Sequence, residues 1–192
     1  MIRFRLSLFI FLFNGLLFGQ DISFFKENLY FKINSDNFEV DGLYYFRNLT
    51  NNEIRQLLFY PFPDSEKYGE ISFIEIRKES DTVSQIATVS DNGSLFKLFI
   101  DPNGESVYHI RYSQQLKSNR AKYIITTTQQ WGIEFEQADY TLEFQNNVQI
   151  DTLSIKPDTI ILKPDYTQYI WHRENFMPEE DFIFWLSKRG EK

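Results

Sequence analysis

The chain has 192 residues, of which 42% are hydrophobic and 18% aromatic, and it contains no cysteine. This much apolar surface excludes a disordered chain, and the lack of cysteine excludes disulfide bonds, a thiol nucleophile and cysteine-ligated metals. The formal net charge of −7 argues against a nucleic-acid-binding protein, which would present a basic surface.

The first nineteen residues have the pattern of a secretory signal peptide. A short basic start (residues 1–5) precedes an apolar run (residues 6–18), and Gly19 supplies a small residue at the junction. The apolar run is too short for a spanning helix, which needs roughly 20 residues. We therefore predict cleavage near Gly19, export to the periplasm or beyond the cell, and a mature chain (residues 20–192) that forms one domain without a membrane span. An uncleaved N-terminal anchor is the alternative.

In the rest of the chain the hydrophobic residues recur with a period of two, which is typical of strands. No segment of twelve or more residues shows a sustained helical period. Ten to twelve short strands predict an all-β fold, an antiparallel β-sandwich of immunoglobulin-like or related type, with a closed barrel as the alternative. The ten to twelve strands are expected among thirteen strand-like runs, which are 29–34, 38–46, 54–60, 71–77, 85–90, 94–100, 106–115, 121–128, 138–144, 152–155, 159–162, 168–172 and 182–186.

Two turn sequences separate strands in the middle of the chain. The segment 91–93 (Asp-Asn-Gly) lies between two strand-like runs and predicts a hairpin with a type I′ turn. The segment 101–104 (Asp-Pro-Asn-Gly) predicts a second tight turn. With Glu105 its oxygens also imitate part of a calcium loop, but the remaining ligands are missing, so we interpret it as a turn.

Residues with catalytic chemistry are few. The chain has two histidines, His109 and His172, with no HExxH or paired-histidine spacing, so a zinc site would need both to converge with distant carboxylates. Glu134 and Glu136 share one strand face, as a solvated acidic strand would, and would serve a hydrolase only across a cleft. We predict no catalytic residue, cofactor or metal, and keep a hydrolase with an unrecognised site as an alternative.

Two aromatic segments are the candidate interaction sites. Trp131 and Gly132 follow a threonine-rich run, and Trp171 and Phe176 lie near the C-terminus. An aromatic side chain on a sandwich loop can anchor a protein partner or stack on a sugar ring, although tryptophan in a sandwich is more often part of the core. We predict a protein partner, with a glycan as the alternative and with no nucleic acid.

Four stretches together resemble known domains. They are residues 40–50 with the core YYFRN, the strand end YPFP at 60–63, residues 123–132, and residues 171–178 followed by Asp181-Phe182. This set resembles exported bacterial β-sandwich domains of unknown function and, more loosely, is similar to the β-rich N-terminal domain of zinc aminopeptidases. The resemblance implies a sandwich fold and export, and it implies no catalytic residue because HExxH is absent. The predicted function is a non-catalytic protein-interaction or assembly module of the cell envelope.

Overall fold

The computed structural model describes residues 21–188, and the predicted signal peptide (residues 1–19) lies outside this range. The described residues form thirteen strands, one short α-helix and one 3₁₀ helix. The strands are β1 (Ile22–Ile33), β2 (Asn37–Asn48), β3 (Ile54–Pro61), β4 (Ile71–Lys78), β5 (Thr88–Ser90), β6 (Gly93–Ile100), β7 (Glu105–Gln115), β8 (Arg120–Tyr123), β9 (Phe135–Gln145), β10 (Val148–Leu153), β11 (Thr159–Leu162), β12 (Tyr166–Phe176) and β13 (Phe182–Lys188). Helix α1 spans Ser65–Tyr68, and the 3₁₀ helix spans Thr126–Trp131.

The strands form three sheets. The largest has seven strands in the order β11-β12-β9-β1-β2-β7-β4, and two sheets of three strands have the orders β10-β13-β8 and β3-β6-β5. Within residues 21–188 none of these sheets closes on itself, which confirms the sandwich over the barrel. The prediction of antiparallel pairing needs one correction, because β1 and β9 pair in parallel. The long chain segment between these two strands makes such a parallel pairing feasible.

Both small sheets cover the same face of the seven-stranded sheet. The Tyr44 side chain on β2 contacts Tyr60 on β3 and Tyr123 on β8, so a single inward-facing residue touches both small sheets. The core between the layers is strongly aromatic: the Phe31 ring on β1 lies 5.2 Å from that of Tyr123. The other face of the seven-stranded sheet carries ion pairs such as Arg47–Glu136, at 2.6 Å. The chain is therefore a two-layer β-sandwich with one solvated polar face.

The 91–93 hairpin forms between β5 and β6, but its predicted turn type is wrong. None of these three residues has a positive φ, and a type I′ turn requires one at both central positions. Gly93 is required for another reason. A Cβ atom there would lie 2.2 Å from Cζ of Phe59 on the neighbouring strand β3, so glycine allows the phenylalanine ring to lie across the backbone.

The predicted turn at 101–104 is confirmed, because the Gly104 amide donates to the Asp101 carbonyl at 3.0 Å and Asn103 has a φ of 52°. The predicted strand 121–128 is correct only as far as Tyr123, where β8 ends. The chain then turns into the 3₁₀ helix, because its first backbone amides find an acceptor in a side chain from the distant end of the chain.

Candidate functional site

The two small sheets do not join, and the space between them is the first candidate site. Edge strands β3 and β8 face each other across a cavity of about 70 Å³, which we call the inter-sheet gap. Among residues 21–188, Glu27 is the one carboxylate or basic side chain that lines it. Aromatic rings line most of the rest, and they belong to Phe24, Tyr44, Phe46, Phe59, Tyr60, Phe96, Tyr123 and Trp131.

Glu27 lies on the inward face of β1 and is only 1% exposed. A β-bulge between Phe24 and Lys26 keeps both Phe24 and Glu27 on this face. The Tyr140 hydroxyl donates a hydrogen bond of 2.7 Å to Oε1 of Glu27, and no described residue donates one to Oε2. Burial raises the pKa of Glu27 to about 8, despite the opposing effect of the Tyr140 hydrogen bond. The carboxyl is therefore mostly protonated at pH 7.

Tyrosine hydroxyls connect the two small sheets across the gap. The Tyr44 hydroxyl lies 2.7 Å from that of Tyr60 on β3 and 3.1 Å from that of Tyr123 on β8. Burial raises the pKa of each of the three well above its ordinary value. They stay neutral near pH 7, so the network can exchange hydrogen bonds without adding charge to the gap.

The 3₁₀ helix closes one end of the gap, and Asp181 holds the start of that helix in place. Oδ1 of Asp181 accepts hydrogen bonds from the amides of Ile125 and Thr126, both at 3.0 Å, and from the Thr126 hydroxyl at 2.7 Å. Oδ2 lies 2.7 Å from Nζ of Lys122. Burial alone would raise the pKa of Asp181, but the bonds from Lys122 and Thr126 outweigh it and hold the pKa below its ordinary value. The Gln129 side chain also donates to the Pro178 carbonyl at 2.6 Å, so the two predicted aromatic segments meet.

Trp131 lines the inter-sheet gap, and Gly132 follows it in the chain. Trp131 is half-buried, and its ring centroid lies 6.0 Å from that of Phe24 and 5.9 Å from that of Phe46. Gly132 is exposed and ends the 3₁₀ helix with a φ of 67°, a conformation that favours glycine. Of the four predicted interaction residues, Trp131 therefore borders a cavity and Gly132 is exposed.

Trp171 requires a correction, because it is a core residue. It is 0% exposed in β12, its ring centroid lies 5.2 Å from that of Phe182, and its indole Nε1 donates to the Ile155 carbonyl at 3.1 Å. The inward face of a strand, and not a loop, positions it. Phe176 ends the same strand, where it is half-buried and pairs with Phe135 of β9. Trp171 is therefore left out of any interaction surface.

A second candidate site lies on the outer side of the β3-β6-β5 sheet. Leu57 is 62% exposed, Phe59 48% and Leu95 39%, although all three are large and apolar. Phe59 and Leu95 are direct cross-strand partners, and Phe59 also lines the inter-sheet gap. We call the surface formed by Arg55, Leu57, Phe59, Leu95, Lys97 and Phe99 the apolar face.

The histidines do not converge. His109 on β7 and His172 on β12 are separated by four strand spacings, or about 19 Å. Each pairs with an aspartate on the polar face of the large sheet: His109 with Asp41 at 2.6 Å, and His172 with Asp139 at 2.5 Å. The hydrogen bond to Asp139 raises the pKa of His172. Within the described part of the chain, no three His, Cys, Asp or Glu side chains group as metal ligands do.

The two glutamates considered for a hydrolase also lie apart from the gap. Glu136 is exposed on β9 and pairs with Arg47, and Glu134 is exposed in the segment before β9. In residues 21–188 no helix has the length and the apolar character that crossing a membrane requires.

Sequence patterns alone did not identify Glu27 or the apolar face. The predicted strand began at Leu29, whereas β1 begins at Ile22. A signal for Glu27 was present, because it has the same strand parity as Leu29, Phe31 and Ile33. For the apolar face the signal is the run 57–60, where apolar residues occupy both faces of one strand.

These features define an all-β sandwich domain with an aromatic gap between two covering sheets. No protein-family model and no curated protein sequence matches the chain. Among solved structures, the chain is similar to a protein of Legionella pneumophila whose nutrient-binding role is itself a proposal. The TM-score is 0.69 and the sequence identity 14%, over 88% of this chain and 67% of that one.

The chain is also similar to the M1 zinc metallopeptidase of Deinococcus radiodurans. The TM-score is 0.54 and the identity 6%, over 86% of this chain and 42% of the peptidase. A mutant form of the same peptidase gives a TM-score of 0.54 at 7% identity. The chain therefore spans less than half of the peptidase. The resemblance to the β-rich N-terminal domain of zinc peptidases is confirmed for the fold.

Proposed function

We propose that this chain is a non-catalytic, exported binding domain of the cell envelope, and that its apolar face docks a protein partner. The observation that carries the proposal is the exposure of Leu57, Phe59 and Leu95 side by side on one sheet. Single exposed apolar residues are ordinary, but neighbouring ones on a flat strand surface mark interaction sites. The predicted signal peptide supports export.

The charges around the apolar face indicate the chemistry of the partner. Lys97 lies directly across from Leu57, and within residues 21–188 its ammonium group has no ion-pair partner. Arg55 lies over the Phe99 ring, 5.6 Å from the centroid, and its guanidinium group already pairs with Glu53. The chain as a whole is acidic, with 27 Asp and Glu against 20 Lys and Arg, so the local charge of Lys97, and not the net charge, indicates the chemistry of the partner's border. We therefore infer a partner surface that is apolar at its centre and carries carboxylates at its border.

The test is site-specific photo-crosslinking with the full chain in its native envelope. A benzophenone amino acid at Leu95 should give a discrete adduct with one protein. The same group at Tyr30, which is 37% exposed on the opposite polar face, should give none. Leu57→Asp should abolish the adduct from position 95, because a carboxylate would be buried at the centre of the contact.

Leu162→Asp is the matched control, because Leu162 is 76% exposed but lies on β11 at the far end of the large sheet. It should leave the adduct unchanged. An adduct of twice the mass of the chain would contradict a distinct partner and indicate a second copy. An envelope polysaccharide whose binding Leu57→Asp abolishes, without any protein adduct, would contradict the proposal and favour the glycan alternative.

A further inference from the structure

We propose that the inter-sheet gap is a binding site for a small primary alkylammonium group, with Glu27 as its counter-ion and the surrounding aromatic rings as its walls. The site is separate from the apolar face and does not require a partner there. Its geometry is that of a carboxyl group, 1% exposed, that lines a cavity whose other lining is uncharged and largely aromatic.

The unused oxygen of Glu27 points to a ligand that donates hydrogen bonds. Oε1 accepts from Tyr140, while Oε2 has no donor among the described residues. Once the carboxyl is ionised this oxygen accepts hydrogen bonds, and an ammonium group supplies both a donor and the opposite charge. The rings of Phe24, Phe46 and Trp131 add cation–π attraction, which is strongest where water is excluded.

The size of the cavity limits the ligand. An engineered cavity of about 150 Å³ accepts benzene, whereas the gap measures about 70 Å³. It therefore has room for an ammonium group with a stem of one to three carbons, and not for a whole metabolite. A longer molecule would have to leave its remaining atoms outside the rim that Trp131 and Phe59 form.

The ionisation of Glu27 should couple binding to pH. The titratable groups that face Glu27 are tyrosines: Tyr140 on β9, Tyr44 on β2, Tyr60 on β3 and Tyr123 on β8, and burial raises the pKa of all four. Glu27 itself has a pKa of about 8, so at neutral pH the ammonium ion binds as the carboxyl releases one proton to solvent. The apparent affinity should then rise about tenfold for each pH unit below pH 7, about fivefold from pH 7 to pH 8, and level off above pH 8.

Ethylammonium chloride is the probe, and its binding to the full chain is followed by tryptophan fluorescence. The same titration of the Trp131→Phe variant shows which part of the fluorescence change comes from Trp131. We expect saturable binding that is about fivefold tighter at pH 8 than at pH 7, because the ionised fraction of a group with a pKa of about 8 rises by that factor. Ethanol, which has the same number of heavy atoms and no charge, should not bind. Glu27→Gln keeps the shape of the side chain and should abolish saturable binding.

Nα-acetyl-lysine amide presents the same ammonium group on a longer stem. Tighter binding of this probe than of ethylammonium would identify a lysine side chain as the source of the ammonium group. Tighter binding of ethylammonium would identify a free amine as the source. Equal binding of ethylammonium and ethanol, or equal binding by the wild type and Glu27→Gln, would overturn the proposal. If Glu27→Gln does not fold, an affinity of the wild type that is unchanged between pH 6 and pH 8 would overturn it equally.

Discussion

The hydroxyl of Tyr140 donates a 2.7 Å hydrogen bond to the carboxyl of Glu27, and the two groups come from the parallel pair β9 and β1. The bond places a proton donor against an acid that has almost no contact with water. It satisfies only one of the two carboxyl oxygens, so Glu27 is held in a fixed position while its other oxygen remains available to the gap.

Glu27 should make the stability of the fold depend on pH. Its pKa is about 8 in the folded state against an ordinary value of 4.5, so the folded chain keeps a proton that the unfolded chain has lost. The stabilisation is complete below pH 4.5 and is lost as the pH rises through 8. Urea unfolding of the wild type and of Glu27→Gln should show a difference that changes by roughly 1.4 kcal/mol per pH unit between these values. Parallel pH profiles would contradict this.

Asp181 should contribute strongly to the stability of the segment that closes the gap. Removing its carboxylate in Asp181→Ala leaves the amides of Ile125 and Thr126 without their acceptor. We expect the free energy of unfolding to fall by about 1–3 kcal/mol, as measured by urea denaturation. Glu134→Ala removes an exposed carboxylate close in sequence to the 3₁₀ helix. It should change the free energy of unfolding by less than about 0.5 kcal/mol. Equal effects of the two substitutions would show that Asp181 does not hold the start of the 3₁₀ helix.

Trp171 should behave as a core residue. Trp171→Ala deletes a side chain that is 0% exposed, and the cavity left behind should cost about 3–5 kcal/mol of unfolding free energy. Trp185→Ala, at a half-buried position on the outer side of β13, should cost clearly less. Thermal and urea unfolding measure both variants. A Trp171→Ala variant as stable as the wild type would contradict the placement of this ring.

A side chain at position 93 should lower the free energy of unfolding. In Gly93→Ala the new methyl group would lie 2.2 Å from Cζ of Phe59 and 2.6 Å from the Tyr60 carbonyl, so the Phe59 ring would have to move. We expect a loss of about 1–3 kcal/mol, as overpacking usually costs. Gly104→Ala, where the nearest atom is 3.2 Å away, should be milder. Denaturation midpoints of the two variants decide between these outcomes.

The alternation of hydrophobic residues was sufficient to predict most strands, because each strand buries one face. It could not predict the parallel pairing of β1 with β9, since local periodicity carries no information about which strands become neighbours. The 3₁₀ helix was missed for a related reason. Its first amides bond to Asp181, which lies 55 residues beyond Thr126, and without that carboxylate the threonine-rich run has the composition of a strand.

The candidate sites were predicted only in part. Trp131 does border a cavity, but its importance depends on Glu27. The inward orientation of a single glutamate between Lys26 and Asn28 can be predicted only once the strand is known to begin at Ile22. The sequence did not show which side chains of β3 form the apolar face, because Leu57 and Phe59 alternate with Leu58 and Tyr60 and all four are apolar or aromatic. Only the packing of β3 against the large sheet determines which pair is buried.

The carboxyl carbon of Glu27 reports the state of the inter-sheet gap most directly. Its ¹³C chemical shift in the full chain, followed by NMR from pH 4 to pH 10 and assigned with Glu27→Gln, measures the ionisation of this group. The buried position predicts a midpoint near pH 8, which ethylammonium should shift to lower pH. A midpoint near the ordinary value of 4.5, unchanged by ethylammonium, would show that water reaches the carboxyl freely and would contradict both the burial of Glu27 and the site proposed in the gap.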